Sequence, residues 1–219
     1  GKTTLLKFII NYIYDNFSDN DDIKDNIDFV LMAPTGRAAY ILSEKVGFDA
    51  STIHRAIYKL SDTDKEIEQD EETDRTYFKL HDNDDSPNTI YFVDEASMIS
   101  DNFNDNESIG FGSGILLKDL FKYVDSRKIV FIGDTAQLPP VGQSISPALD
   151  INHLQEKYNK SCKVEYLKTV VRQKEDSLIY KNAVNIRDSI DNKVFNSFSI
   201  KDGNTVKSSD DLVFDYFDE

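Results

Sequence analysis

The chain has 219 residues, 39% hydrophobic and 30% charged, enough for one large domain or one domain with part of another, and too apolar for wholesale disorder. Forty acidic against 25 basic side chains give a formal charge of −15, which repels phosphate backbones and by itself argues against nucleic-acid binding. Cys162, the single cysteine, excludes an intrachain disulfide framework, no apolar run nears the ~18 residues that span a bilayer, and the opening stretch lacks a signal-peptide cleavage site; a cytoplasmic chain with no membrane contact is expected.

Apolar residues at Leu6, Ile9, Ile10, Ile13 and Phe17 predict an amphipathic helix over Lys2 to Phe17. An acidic Asp/Asn loop follows. Phe29 to Ala33 is a continuous apolar run, the pattern of a strand covered on both faces, and Gly36 to Val46 reads as the next helix. Thr52 to Leu60 predicts a short helix. The stretch from Ser61 to Asp85 then carries eleven acids against Lys65, Arg75 and Lys79, a pattern of solvated loops. Ile90 to Val93 is a second buried strand, closing on Asp94-Glu95. A Gly/Asn-rich loop leads to a helix over Ile115 to Val124. Lys128 to Ile132 is a third strand ending at Gly133-Asp134, Val164 to Leu167 a fourth, and Ser177 to Ile190 a last helix. Strands alternating with helices predict an α/β fold with a mainly parallel sheet and helices on both faces. Ligands bind such sheets beyond the carboxyl ends of the strands, where Pro34-Thr35, Asp94-Glu95 and Gly133-Asp134 all fall.

Phosphate chemistry can be assembled from these strand ends. Gly1-Lys2-Thr3-Thr4 opens a helix, with an ammonium for phosphate and a hydroxyl for Mg²⁺; the upstream glycines of a full phosphate loop are not in the chain, so the cradle is expected to be incomplete. Asp94-Glu95 supplies one hard carboxylate for the metal and a neighbour that can polarise water. Gln137, in Gly133 to Pro140, is placed to report on a terminal phosphate, and Arg172 to offset charge on a transferred phosphoryl. Each segment alone also has a plainer reading: a solvated lysine, a pair of strand-end acids, a Gly/Pro turn, a surface arginine.

Their order is what carries weight. Gly1-Lys2-Thr3, Ala33-Pro34-Thr35-Gly36-Arg37-Ala38-Ala39, Ser51-Thr52-Ile53-His54-Arg55, Val93-Asp94-Glu95-Ala96-Ser97-Met98, Gly133-Asp134-Thr135-Ala136-Gln137-Leu138-Pro139-Pro140-Val141-Gly142 and Leu167-Lys168-Thr169-Val170-Val171-Arg172-Gln173 follow one another. The chain thereby resembles superfamily 1 DNA helicases of the RecD-like branch, through motifs I (in part), Ia, Ib, II, III and IV, from Gly1 to about Gln173.

The resemblance implies a RecA-like P-loop NTPase domain over residues 1–173, with 56–89 as a hairpin insertion and 174–219 as the start of a truncated second motor domain. It implies ATP and Mg²⁺ as cofactors: Gly1, Lys2, Thr3 and Thr4 on the phosphates, Thr3 and Asp94 on the metal, Glu95 activating water, Gln137 sensing the γ-phosphate and Arg172 as an arginine finger. Pro34, Thr35, Arg37, Thr52 and His54 match segments that grip single-stranded DNA, and Thr52 also suits a helix cap. In the insertion, Thr76 to Leu80 is a candidate strand, with Tyr77 or Phe78 stacking on a base or packing on the domain. Partners would be single-stranded DNA, single/double-strand junctions and a nuclease or repair protein, with translocation 5′ to 3′. Motifs V and VI have no counterpart, so the isolated chain is expected to hydrolyse ATP slowly and not to unwind DNA. Alternatives are a P-loop ATPase without DNA activity and a scaffold subunit of a repair or nuclease complex.

Overall fold

The computed structural model describes residues 1–17, 27–59, 68–70, 75–104, 109–167 and 178–194. Helix α1 (Lys2–Phe17) buries Leu6, Ile10 and Ile13, while Leu5, Phe8, Ile9 and Tyr12 lie on its outer side. Strand β1 (Phe29–Ala33) follows, then α2 (Gly36–Val46), capped at its start by Thr35 and ended by Gly47 in the left-handed region. Strand β2 (Ala50–Thr52) runs into α3 (Ile53–Ile57), which stops short of the expected Leu60. Strands β3 (Glu68–Asp70) and β4 (Arg75–Phe78) pair antiparallel inside the acidic interval. Strand β5 (Ile90–Val93) leads to a short 3₁₀ turn over Ala96–Met98, then β6 (Ile109–Phe111), α4 (Leu116–Val124) and β7 (Lys128–Phe131). A second 3₁₀ turn at Pro147–Leu149 precedes α5 (Ile151–Tyr158).

The main sheet has the order β2-β1-β5-β7, all neighbours parallel, with Leu31 opposite Phe92 and Phe92 opposite Val130. Alternation of side chains sends Leu31 and Phe92 to one face and Met32, Tyr91 and Val93 to the other. Against the first pack Leu6, Ile10 and Ile13 of α1 with Leu42 and Val46 of α2. Against the second pack Ile53 and Ile57 of α3, Leu117, Leu120 and Val124 of α4 and Leu154 of α5. Each fully buried Leu, Ile or Phe contributes about 1.5–3 kcal/mol over its exposed state. The doubly covered sheet explains the unbroken apolar runs of β1 and β5, and this is the expected α/β architecture with a parallel sheet and helices on both faces.

A second sheet, β3-β4-β6, joins the acidic interval to the segment after β5, with β4 and β6 parallel. Phe78 stacks on Phe111 at 5.0 Å between ring centroids, so of the two roles open to the insertion's aromatics this ring takes packing on the domain. Val164 to Leu167, expected as a strand, runs without regular structure, with Val164, Tyr166 and Leu167 exposed; an apolar-polar alternation becomes a strand only where a sheet edge receives it. Lys2–Tyr166 forms one compact unit. Among the described residues beyond Tyr166, α6 (Leu178–Asp191) matches the helix expected there and belongs to a separate unit. The expected boundary at Gln173 and the arginine at Arg172 lie outside the described residues.

Candidate functional site

From β1 the chain steps outward to β2 on one side, then returns to β5 on the other, so the crevice between the carboxyl ends of β1 and β5 is the switch point at which parallel sheets bind ligands. Thr35 follows the first of these ends and Asp94-Glu95 the second. A cavity of about 220 Å³ opens there, lined by Thr3 of α1, Thr35, Arg37, Ile41 and Lys45 along α2, and Asp94 and Glu95. Three of the four groups expected around a triphosphate, Thr3, Asp94 and Glu95, therefore share one cavity. The fourth, Lys2, stands close enough for its charge to act on Asp94.

Asp94 is 6% exposed, and its backbone N–H donates to the Met32 carbonyl at 2.9 Å, which locks the carboxylate to the end of β1. Burial raises its pKa; the Glu95 backbone N–H, donating to Oδ1 at 3.0 Å, opposes this, the Glu95 charge reinforces it, and Lys2 and Lys45 oppose it. Glu95 itself adopts φ 51, ψ 38, a left-handed conformation costly for a residue with a long side chain. That kink ends β5 and turns Ala96 so that its N–H donates to the Ile132 carbonyl at 2.9 Å. Non-glycine residues in this region concentrate where function needs a fixed side-chain direction.

Nζ of Lys2 is buried and has no hydrogen-bond partner among the described residues. A buried ammonium in that state is unfavourable until an anion reaches it. Thr3 and Asp94 offer a hydroxyl and a carboxylate, the hard oxygens that Mg²⁺ takes alongside phosphate and water. The residues present therefore fit a magnesium-nucleotide phosphate chain: an ammonium for the phosphate, two oxygen ligands for the metal, and a second carboxylate beside them.

Gly133 and Gln137 meet the same turn from β7. A Cβ on Gly133 would lie 2.6 Å from Leu149 Cδ1 and 3.2 Å from the Ser97 backbone nitrogen, so a larger residue there would have to displace the Leu149 side chain and crowd the turn. Ser97, fully buried, donates through Oγ to Gln137 Oε1 at 3.2 Å. Gln137 is thus tied to the turn that carries Glu95. Ser97 had no role read from the sequence, because this contact spans 40 positions.

Pro34, Thr35, Thr52 and His54 sit at the ends of the neighbouring strands β1 and β2, whose last register pair is Ala33 with Thr52. Both threonines act as helix caps: Thr35 Oγ1 accepts from Ala38 N–H at 3.2 Å and Thr52 Oγ1 from Arg55 N–H at 3.1 Å. The His54 ring lies against Phe111 at 5.0 Å and Tyr58 at 5.6 Å, and burial lowers its pKa. Arg37 lines the cavity itself, with Thr3 and Asp94. Lys45, in the same cavity, was not singled out by any motif; its one sequence signal is the row Arg37, Ile41, Lys45, four residues apart on one helix. Among the described residues no helix is long and apolar enough to cross a membrane.

Comparison with known proteins agrees with this fold. A family model described as an AAA domain matches residues 1–199. An uncharacterized protein of Methanocaldococcus jannaschii is 31% identical over 173 residues, covering 75% of this chain and 13% of that protein. The chain thus spans a small part of the relative's length. With the family model covering most of its residues, the chain belongs to the AAA-domain family and is a P-loop NTPase domain.

Proposed function

We propose that this chain is the first motor domain of an ATP-dependent DNA helicase of the RecD-like kind, coupling Mg-ATP hydrolysis to 5′-to-3′ movement on single-stranded DNA and to duplex opening. The observation that carries the nucleotide half is the buried, unpartnered ammonium of Lys2 acting on buried Asp94 beside Thr3 and Glu95. Lys2 holds the phosphates, with Gly1 and Thr4 flanking it. Thr3 and Asp94 hold Mg²⁺, which when bound neutralises phosphate charge and fixes the reacting geometry. Glu95 accepts the proton of the attacking water. Gln137 would sense the γ-phosphate and, through its hydrogen bond with Ser97, pass its presence or loss to the turn after β5. Arg172 supplies positive charge to the transferred phosphoryl.

The DNA half rests on the order of the motifs and on the placement of Pro34, Thr35, Thr52 and His54 at adjoining strand ends next to the cavity, with Arg37 between the two regions. A strand laid across these ends would feel any shift of α2 as the cavity fills. Single/double-strand junctions and a nuclease or repair protein are the partners this reading carries.

The test is ATP hydrolysis by the full-length protein with and without single-stranded DNA, beside Lys2→Ala. DNA is expected to raise the rate at least tenfold, and Lys2→Ala to remove hydrolysis under both conditions. A rate indifferent to DNA but lost in Lys2→Ala leaves a P-loop ATPase without DNA activity. A rate equal in all three overturns the nucleotide site as well.

A further inference from the structure

Lys45 is the charged group in the cavity that no motif assigns. It lies on α2 in the row Arg37, Ile41, Lys45, each step one turn of helix, and all three side chains line the cavity with Thr3, Asp94 and Glu95. Its charge reaches Asp94, together with that of Lys2. Charge balance gives this position a purpose. Asp94 and Glu95 bring two negative charges, which Lys2 and Arg37 only offset, so that without Lys45 the cavity would be no better than neutral before any ligand arrives. A nucleoside triphosphate with its magnesium still carries net negative charge, and the chain around it has a formal charge of −15. Cations along one wall reverse the local sign where the whole-molecule field is unfavourable.

We infer that Lys45 is a nucleotide-binding residue, holding the phosphate chain of Mg-ATP from the α2 wall of the cavity. This rests on the proposed nucleotide site and adds to it a second, independently placed cation. An ammonium on a flexible four-carbon stem suits such a task, because it acts as a mobile point charge and needs no fixed fork geometry. Lys45 is exposed and lies in the last turn of α2, so removing it leaves the packing of Leu42 and Val46 intact.

The experiment is calorimetric titration of the full-length protein with Mg²⁺ and the non-hydrolysable analogue AMP-PNP, with adenosine, and separately with a single-stranded oligothymidine. Wild type, Lys45→Ala, Lys45→Arg and Lys2→Ala are compared. Lys45→Ala is expected to weaken Mg-AMP-PNP binding about tenfold, which is ~1.4 kcal/mol, with Lys45→Arg restoring it to within about threefold. Adenosine and the oligothymidine are expected to bind Lys45→Ala and wild type alike. If Lys45→Ala binds Mg-AMP-PNP as wild type does while Lys2→Ala does not, the inference is overturned and the nucleotide site stands. Weakened oligothymidine binding with unchanged nucleotide binding overturns it too, by placing Lys45 on the DNA. If Lys2→Ala also binds Mg-AMP-PNP as wild type does, both fall together.

Discussion

Glu95 shows what one residue contributes when its backbone is set by the fold. Its carboxylate lines the cavity beside Asp94, and its left-handed φ of 51 aims the side chain in a direction an extended strand end would not allow. Glycine would occupy that conformation at lower cost, so retaining a carboxylate there points to chemistry performed by the side chain. Glu95→Gln keeps shape and removes the base. Expected is a fall in kcat of about 10²–10⁴-fold, with Mg-AMP-PNP binding within a few-fold of wild type; steady-state kinetics beside calorimetry separate the two. Equal losses in kcat and binding would make Glu95 a ligand-holding residue. Lys2, Thr3, Asp94 and Glu95 were legible in the sequence because each sits in a short motif at the end of a periodic element. Lys45 and Ser97 were not, because what makes them relevant is a neighbour 40 or more positions away, and spacing along the chain does not encode that.

Among the elements, α5 is held to the site by a carboxylate that no motif contains. Asp101, three residues after the 3₁₀ turn, is buried and accepts from Lys157 Nζ at 2.7 Å, from His153 Nε2 at 2.5 Å and from the Tyr158 hydroxyl, three donors from one short helix. Leu149, just before α5, meets Gly133. The segment after β7, which carries Gln137, is fastened to the stretch that follows β5 at its start, where the Ala96 N–H donates to the Ile132 carbonyl at 2.9 Å, and at its end, where α5 donates to Asp101. Burial pushes the Asp101 carboxyl up, but the donors from Lys157, Tyr158 and His153 outweigh it and hold the group below the ordinary carboxylate range. A carboxylate depressed in the folded state contributes stability that is complete above its unfolded pKa, about 3.9, and is lost as pH falls through the folded value. Asp101→Ala is expected to cost about 3 kcal/mol near pH 7 by leaving buried donors unpaired, and markedly less at pH values below the carboxylate range. Urea unfolding at both pH values checks this; a cost independent of pH would mean that packing, and not the ion pair, holds α5. The same scale shows where periodicity fails. Helices α1, α2, α4 and α6 were readable from long apolar rows, whereas α5 buries only Leu154 and β2 and β6 span three residues each, too short for any period to register.

At the scale of the whole molecule, the question is how a chain of formal charge −15 approaches a polyanion. The answer lies in where the charges are. Lys2, Arg37 and Lys45 gather at the carboxyl ends of the sheet or along the cavity wall, while the densest acids lie between Ser61 and Asp74, away in the sequence from every motif. The α/β architecture was legible from alternating strands and helices, but this separation was only partly so: composition alone argued against nucleic acid, and only the fold shows that the cations converge. If single-stranded DNA binds as proposed, the net charge of the acidic stretch is expected to weaken that binding at long range, with a reach set by the Debye length of about 10 Å at 0.1 M salt. Replacing Asp62, Asp64, Glu66, Glu71, Glu72 and Asp74 by their amides moves the formal charge from −15 by six units to −9. Expected is a several-fold gain in single-stranded oligothymidine affinity at about 50 mM salt that shrinks towards nothing by about 200 mM, because screening removes a field but not a contact. Anisotropy titrations across that salt range decide it. A gain that persists at the higher salt would mean that the acids occupy the strand's own path and compete with it directly, and a loss of affinity would mean that they order the β3–β4 pair on which the path depends.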